Sequence, residues 1–288
     1  MARYAYVNGR YVDHREASVH IEDRGYQLAD GVYEVVGVRD GKLIDEKLHI
    51  DRLGRSLGEL RIAWPVARPT LGFIMRELMR RNRLRDGLVY MQVTRGVARR
   101  DHAFPTKPVK PALVLTTTKN SKRAEADPGP GITVKSHPDI RWARCDIKTV
   151  ALLPNVLAKQ AARESGAYEA WLVDGKGQVT EGASTNAWIV TKDGELITRA
   201  TDNAILAGIT RQTLKSIAGD LQLKLVERSF SLAEAKAANE AFITSATSFV
   251  TPVVKIDGDA VGDGKVGPIA RRLREQYVRF AGEGEAVT

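Results

Sequence analysis

The chain opens on short alternations of apolar and polar positions. In YAYVNGRYV (4–12) they flank Asn8-Gly9, and in VYEVVGVRDGKLI (32–44) they flank Asp40-Gly41. Period-two runs on either side of an Asn-Gly or Asp-Gly pair predict two β-hairpins. Leu53, Leu57 and Leu60, then Leu71, Ile74, Met75 and Leu78, follow helical spacing, which predicts two successive amphipathic helices. LVYMQVTRG (88–96) and PALVLTTT (111–118) return to strand character, so residues 1–120 read as a first α/β unit. KNSKRAEADPGPG (119–131) combines charge with two prolines and two glycines, which places a linker at 121–131. A second unit is expected over 132–288. ITVKSH, EAWLVDGKGQVTEG, AWIVTKDGELIT and AFITSAT are its strand-like runs, and the helix after Thr210 carries Leu214, Ile217, Ala218 and Leu221 on one face. Turns join strand to strand instead of helices alternating with each strand, so the fold class is α+β with mixed sheets.

Composition narrows the partners. The 288 residues suit two units of ordinary domain size, and 43% hydrophobic with 27% charged residues describes a globular chain. MARYAYVNGRYVDH lacks the apolar core of a signal peptide, and no apolar run approaches the ~20 residues of a membrane span. A cytoplasmic protein without a membrane partner is expected. The net charge of +9 raises the question of nucleic acid. Its densest clusters, MRRNRLR (79–85) and ARRLREQYVR (270–279), fall on helical periodicity with the arginines outward, which reads as solvated helix faces. Cys145 is the single cysteine, so an internal disulfide and a cysteine metal cluster are excluded and no metal is expected.

Three stretches carry candidate chemistry. In RCDIKTVALLPNVLAKQAA, Lys148 heads an uncharged run from Thr149 to Ala158. Burial lowers a lysine pKa by up to ~3–5 units and makes the amine a nucleophile toward carbonyls. Read alone, Lys148 also fits a side chain reaching solvent or pairing with Asp146. In VTEGASTNAWIV (179–190), Glu181 stands between a strand and a turn of small hydroxyl residues. There it is either a turn-capping acid or a carboxylate able to keep a pyridine nitrogen protonated. In ILAGITRQTLKSIAG (205–219), Gly208 precedes the start of a helix, which is either an ordinary capped end or an anion site.

In combination and in order, EDRGYQLADGVYEV, KTVALLPNVLAKQAA, VTEGASTN, LAGITR and FITSATS resemble the fold-type IV, pyridoxal phosphate (PLP)-dependent aminotransferases. The resemblance covers about residues 4–280. It implies a two-domain architecture of mixed β-sheets flanked by helices. It implies that Lys148 forms the Schiff base, with Lys159 structural, and that Glu181 pairs with the pyridine nitrogen. Arg52 in HIDRL would hold the cofactor phosphate with the amides of Ile209 and Thr210 and the segment at Ser245 and Ala246. Leu206 would pack on the ring. Ala183 and Ala246 depart from the hydroxyl residues common in the D-amino acid enzymes of the family.

VTRGVARRDHAFP (93–105) contains Arg100 and His102. With Tyr33 they resemble the substrate-carboxylate trap of the D-amino acid group, whose loop reaches the neighbouring subunit and implies a homodimer. The expected reaction is a ping-pong transamination between a D-amino acid and pyruvate or 2-oxoglutarate. R-selective amine and branched-chain aminotransferases are the alternatives within the family, with an aminodeoxychorismate lyase further off. A basic nucleic-acid-binding protein with a degenerate PLP site is the alternative outside it.

Overall fold

The structure is a computed structural model that describes residues 3–119 and 127–283. Two compact units emerge, one of Met1–Ala124, Ile147–Ala151 and Gly282–Thr288, the other of Glu125–Asp146 and Leu152–Ala281. Most of the expected linker, 121–126, lies outside the described residues.

The first unit is built on a six-stranded sheet, ordered β2-β1-β6-β5-β3-β4. The strands are β1 (Tyr4–Val7), β2 (Arg10–Asp13), β3 (Gly31–Arg39), β4 (Lys42–Leu43), β5 (Gly87–Thr94) and β6 (Ala112–Lys119). Every pairing is antiparallel, and both hairpins turn where Asn8-Gly9 and Asp40-Gly41 put them. Asn8 and Asp40 take the positive φ that such turns require. A five-residue helix α1 (Arg24–Leu28) precedes β3, while α2 (Glu46–Glu59) and α3 (Arg68–Asn82) follow β4. Leu53, Leu57, Leu71, Ile74, Met75 and Leu78 are buried in one core with Val32, Val36, Val89 and Met91 from the sheet, as the two periodicities predicted.

Ile147–Ala151 belongs to this first unit. Sequence order placed Lys148 in the second. Ile147 is buried in the first core, Thr149 bridges Val32, and the amides of Tyr33 and Val150 donate to the carbonyls of Lys148 (3.0 Å) and Gly31 (3.1 Å). β4 pairs only with Val38 and Arg39, so the opening of β3 has a free edge that this segment covers.

The second unit holds a nine-stranded mixed sheet, ordered β12-β11-β10-β13-β14-β7-β8-β9, with β15 on β14. Its strands are β7 (Ile132–Pro138), β8 (Glu169–Val173), β9 (Val179–Gly182), β10 (Asn186–Val190), β11 (Leu196–Thr198), β12 (Leu225–Glu227), β13 (Glu240–Ser245), β14 (Phe249–Ile256) and β15 (Asp259–Ala260). β7 runs parallel to both β14 and β8, and β11 parallel to β12; the other pairs are antiparallel. The α+β reading with mixed sheets holds, although the mixing is confined to this sheet. The helices are α4 (Leu153–Glu164), α5 (Ile209–Asp220), α6 (Leu232–Ala237) and α7 (Pro268–Glu283).

The uncharged run after Lys148 continues into α4, where Ala158 is buried but Leu153, Val156 and Leu157 are exposed at 69%, 56% and 52%. In α3, by contrast, Arg80 and Arg81 are solvent-facing and paired with Glu77. No helix among the described residues is long and apolar enough to cross a membrane.

Candidate active site

β3 gives the first unit two chemical faces, because successive side chains of a strand point to opposite sides. Tyr33 is half-buried on one side, and the Lys148 ammonium lies 4.3 Å from its ring centroid. A cation over an aromatic face is attracted by the ring quadrupole. Tyr90 stacks obliquely on Tyr33 at 5.8 Å and donates its hydroxyl to Gln92 (2.7 Å). Burial, with the neighbouring phenol of Tyr33, pushes the Tyr90 hydroxyl up to about 12. Lys148 is held by its backbone on Tyr33 and by an amide hydrogen bond to Ser56 Oγ (3.4 Å), one turn beyond Arg52 on α2. Asp146, the pairing partner weighed from sequence, is gripped by Arg144 through both oxygens.

On the opposite side, Glu34 is fully buried and accepts two hydrogen bonds from Arg52 (Nε and Nη2, 2.8 Å each), with His49 Nδ1 at 2.8 Å. Burial pushes the Glu34 carboxyl up, but the charge and hydrogen bonds of Arg52 and the hydrogen bond of His49 outweigh it and hold it far below the usual carboxylate range. Burial pushes the His49 imidazole down, against the pull of Glu34, so the ring is neutral near pH 7 with its proton on Nδ1. The fork of Arg52 is thereby fixed in one orientation. Glu34 and His49 escaped the sequence reading. His49 precedes Arg52 by three positions, the spacing of one helix face, and was the available signal.

In the second unit Glu181 is the penultimate residue of β9 and is buried. Arg141 Nη1 donates to it, as do Asn186 Nδ2 (3.0 Å) and the Leu206 amide (3.2 Å). Arg141 also makes a forked pair with Asp139 (2.9 and 2.8 Å) and reaches the Ala204 carbonyl (3.0 Å). Burial pushes the Asp139 carboxyl up, yet hydrogen bonds from Arg141 and Thr180 leave it below its ordinary range. Glu181 thus accepts hydrogen bonds from Arg141, Asn186 and the Leu206 amide, bonds of the kind that favour the charged form of a carboxylate. Arg141 and Asn186 were not anticipated.

Asn186 ties Glu181 to the start of α5, since its Nδ2 also donates to the Leu206 carbonyl (3.0 Å). Gly208 is the N-cap and provides no capping side chain, so the first-turn amides at Ile209 and Thr210 are left for another acceptor. A Cβ at Gly208 would lie 1.9 Å from Asn186 Oδ1, which leaves room only for glycine. An uncapped, positively polarised helix end beside a small residue suits a phosphate group.

Ser245 lies at the end of β13, next to the Asn186–Thr244 pair. Its hydroxyl meets those of Thr247 (2.9 Å) and Ser248 (2.8 Å) in a tight turn, where Ala246 offers only its amide. Phe249 leaves this turn at φ +59°, a conformation that costs about 1–2 kcal/mol for a residue with a Cβ. Arg274 of α7 holds the carbonyls on either side of it, Ser248 (3.0 Å) and Val250 (2.6 Å). The structure therefore joins Glu181, Leu206 and the start of α5 in one network, and sets Tyr33 and Lys148 together in the other unit.

Arg100 and His102 are exposed, on the loop after β5. Neither joins Tyr33. The model of the amino-transferase class IV family matches residues 31–256. The chain belongs to this family. Among its relatives is the D-alanine aminotransferase of Staphylococcus haemolyticus, 43% identical over 96% of both chains. Among solved class IV enzymes, the T.th. branched-chain amino acid aminotransferase with pyridoxamine 5'-phosphate superposes with a TM-score of 0.87 at 26% identity, covering 99% of this chain and 96% of that one. The branched-chain enzyme of Escherichia coli gives a TM-score of 0.87 at 24% identity over 100% and 97%.

Proposed function

We propose that this class IV aminotransferase exchanges amino groups between D-amino acids and 2-oxo acids with PLP as its cofactor. The observation that carries the reading is the 43% identity to a D-alanine aminotransferase across nearly the whole of both chains. The side chains present suit PLP: a lysine held on an aromatic ring, an oriented arginine, an uncapped helix start and a carboxylate that accepts from Arg141 and Asn186. When bound, PLP supplies an aldehyde that accepts the amino group and a ring that withdraws electrons.

Lys148 Nζ would hold PLP, and its amine would move the Cα proton of the amino acid as general base and acid. Glu181, held in place by Arg141 and Asn186, would keep a proton on the ring nitrogen. Arg52, fixed by Glu34 and His49, would serve the phosphate together with the amides of Ile209 and Thr210. Ser245 and Ala246 would serve the same phosphate, and Leu206 would pack on the ring. Tyr33, Arg100 and His102 receive the substrate carboxylate, the arginine through two parallel N–H donors.

The exposure of Arg100 and His102, and the apolar face of α4, support a homodimer in which this loop serves the partner's substrate. A branched-chain or R-amine specificity is the second reading, favoured by the likeness to the T.th. branched-chain enzyme.

A single-turnover experiment separates them. PLP-loaded protein is mixed separately with D-alanine, L-leucine and R-1-phenylethylamine, and conversion of the cofactor to its aminated form is followed by absorbance. Fast conversion with D-alanine alone is expected. Conversion only with L-leucine or the amine would overturn the D-amino acid reading and leave Lys148 and Glu181 in their roles.

A further inference from the structure

The stretch EDRGYQLADGVYEV contains charged residues to which the reaction gives no task, among them Arg24 and Asp30. Arg24 is buried at the start of α1, and its Nε pairs with Asp30 Oδ2 (2.8 Å). Its Nη1 donates to the backbone carbonyl of Asp101 (2.6 Å), the residue between Arg100 and His102. Asp30 also receives the fork of Arg95 (Nε 2.7 Å, Nη2 3.0 Å). Arg95 is anchored in turn on the carbonyls of Leu60 (2.7 Å) and Arg61 (3.1 Å). Its guanidinium lies 3.8 Å from the ring centroid of Phe104, two residues beyond His102. The base of the loop is fixed as well, by Arg24 N on Gly96 O (2.9 Å) and by the Asp23–Val97 bridge. Gly96 adopts φ +97°, and a Cβ there would meet the Lys110 carbonyl at 2.1 Å.

The loop itself buries little. Val97, Arg99, Arg100, Asp101, His102, Ala103 and Phe104 are all exposed, so its shape is not set by packing into a core. We propose that Arg24, Asp30, Arg95 and Phe104 form a brace that presets this loop and thereby orients Arg100 and His102 for the substrate carboxylate. These are positioning residues, and the inference rests on the reading that Arg100 and His102 bind that carboxylate. Asp30 links two cations, Arg24 of α1 and Arg95 just past β5, so one carboxylate ties both sides of the brace together. Burial pushes its carboxyl up, but hydrogen bonds from Arg95 and Arg24 hold it below the ordinary range, which keeps both links charged throughout the working pH range.

The test compares Arg24→Lys and Phe104→Ala with Arg100→Ala and the double variant Phe104→Ala/Arg100→Ala in the PLP-loaded full chain. Phe104 is 45% exposed, so its truncation spares the fold even if the Arg24 variant does not fold. Steady-state kinetics with D-alanine are measured, with limited trypsin cleavage after Arg99 and Arg100 as the second readout. For Phe104→Ala, a KM about fivefold or more above wild type is expected with kcat within about twofold, because a misplaced binding group weakens capture more than turnover. Adding Phe104→Ala to Arg100→Ala should raise KM no further, and tryptic cleavage in the loop should accelerate in Phe104→Ala and Arg24→Lys. Unchanged cleavage in both variants, or full additivity in the double variant, would overturn the brace. Faster cleavage with an unchanged KM in Arg100→Ala would instead uphold the brace and overturn the carboxylate role of Arg100.

Discussion

Replacing Gly208 by alanine isolates the link between Glu181 and the start of α5. The backbone there, φ −64° and ψ 135°, is open to any residue, so the substitution carries no conformational strain. Its cost is steric. The new Cβ would sit 1.9 Å from Asn186 Oδ1, and the buried Asn186 amide can retreat only by giving up its bonds to Glu181 and the Leu206 carbonyl. A hydrogen bond to a charged group is worth about 1.5–3 kcal/mol and a neutral one about 0.5–1.5 kcal/mol. Loss of both gives a destabilisation of about 3 kcal/mol, which at about 2–4 °C per kcal/mol lowers the melting temperature by roughly 6–12 °C.

Gly219, at the other end of the same helix, is the control. A Cβ there meets nothing within 4 Å, and Gly→Ala in a helix stabilises by about 0.5–1 kcal/mol. Calorimetry of the two variants, with PLP affinity from absorbance titration, makes the comparison. Gly208→Ala should melt lower and bind PLP more weakly, and Gly219→Ala should melt slightly higher with unchanged affinity. If both variants melted together and bound PLP equally, the close contact with Asn186 would not be what holds Glu181 and α5 in register.

Three further outcomes are expected. Glu34→Gln leaves the buried guanidinium of Arg52 without its anion and should cost about 3–5 kcal/mol. Because the folded-state pKa of Glu34 is depressed, this stabilisation is fully present above the unfolded carboxyl value and is lost as pH falls toward the folded one. Urea midpoints of wild type and variant should therefore differ at pH 6–8 and converge below about pH 4.5; a gap independent of pH would refute the pairing. Lys148→Ala should remove the visible absorbance of lysine-bound cofactor and the half-reaction with D-alanine, and retention of both would reassign the cofactor lysine. Burial raises the Cys145 thiol to about 11, so its labelling by iodoacetamide should keep accelerating beyond pH 9, where an unperturbed thiol levels off.

The hairpins were legible because Asn8-Gly9 and Asp40-Gly41 impose a local geometry that no tertiary contact needs to supply. The faces of α2, α3 and α5 were legible for a similar reason, since one-sided burial leaves its period in the sequence. The exposed face of α4 was not legible, because Leu153, Val156 and Leu157 have the spacing of a core face and sequence does not say what covers them. Among the candidate site residues, Gly208 could be read as a helix entry. Its true constraint, the side-chain carbonyl oxygen of Asn186, lies 22 positions away and is visible only in three dimensions. Arg141 and Glu34 were hidden by abundance: one arginine among many becomes distinctive only when its carboxylate partner is placed against it. Lys148 was found by motif, but its attachment to Val32 and Tyr33 depends on a pairing more than a hundred residues long in sequence.

That pairing bears on how the chain is made. The first sheet is complete in strands by Lys119, yet the opening edge of β3 and the hole filled by Ile147 are closed only by Ile147–Ala151. A nascent chain emerging from the ribosome therefore carries an open strand edge at Gly31–Tyr33 until some thirty more residues have been synthesised. Exposed strand edges of this kind recruit other chains. A truncation ending near residue 120 would keep all six strands and still be prone to aggregate, and the segment bearing Lys148 doubles as the piece that seals the amino-terminal half.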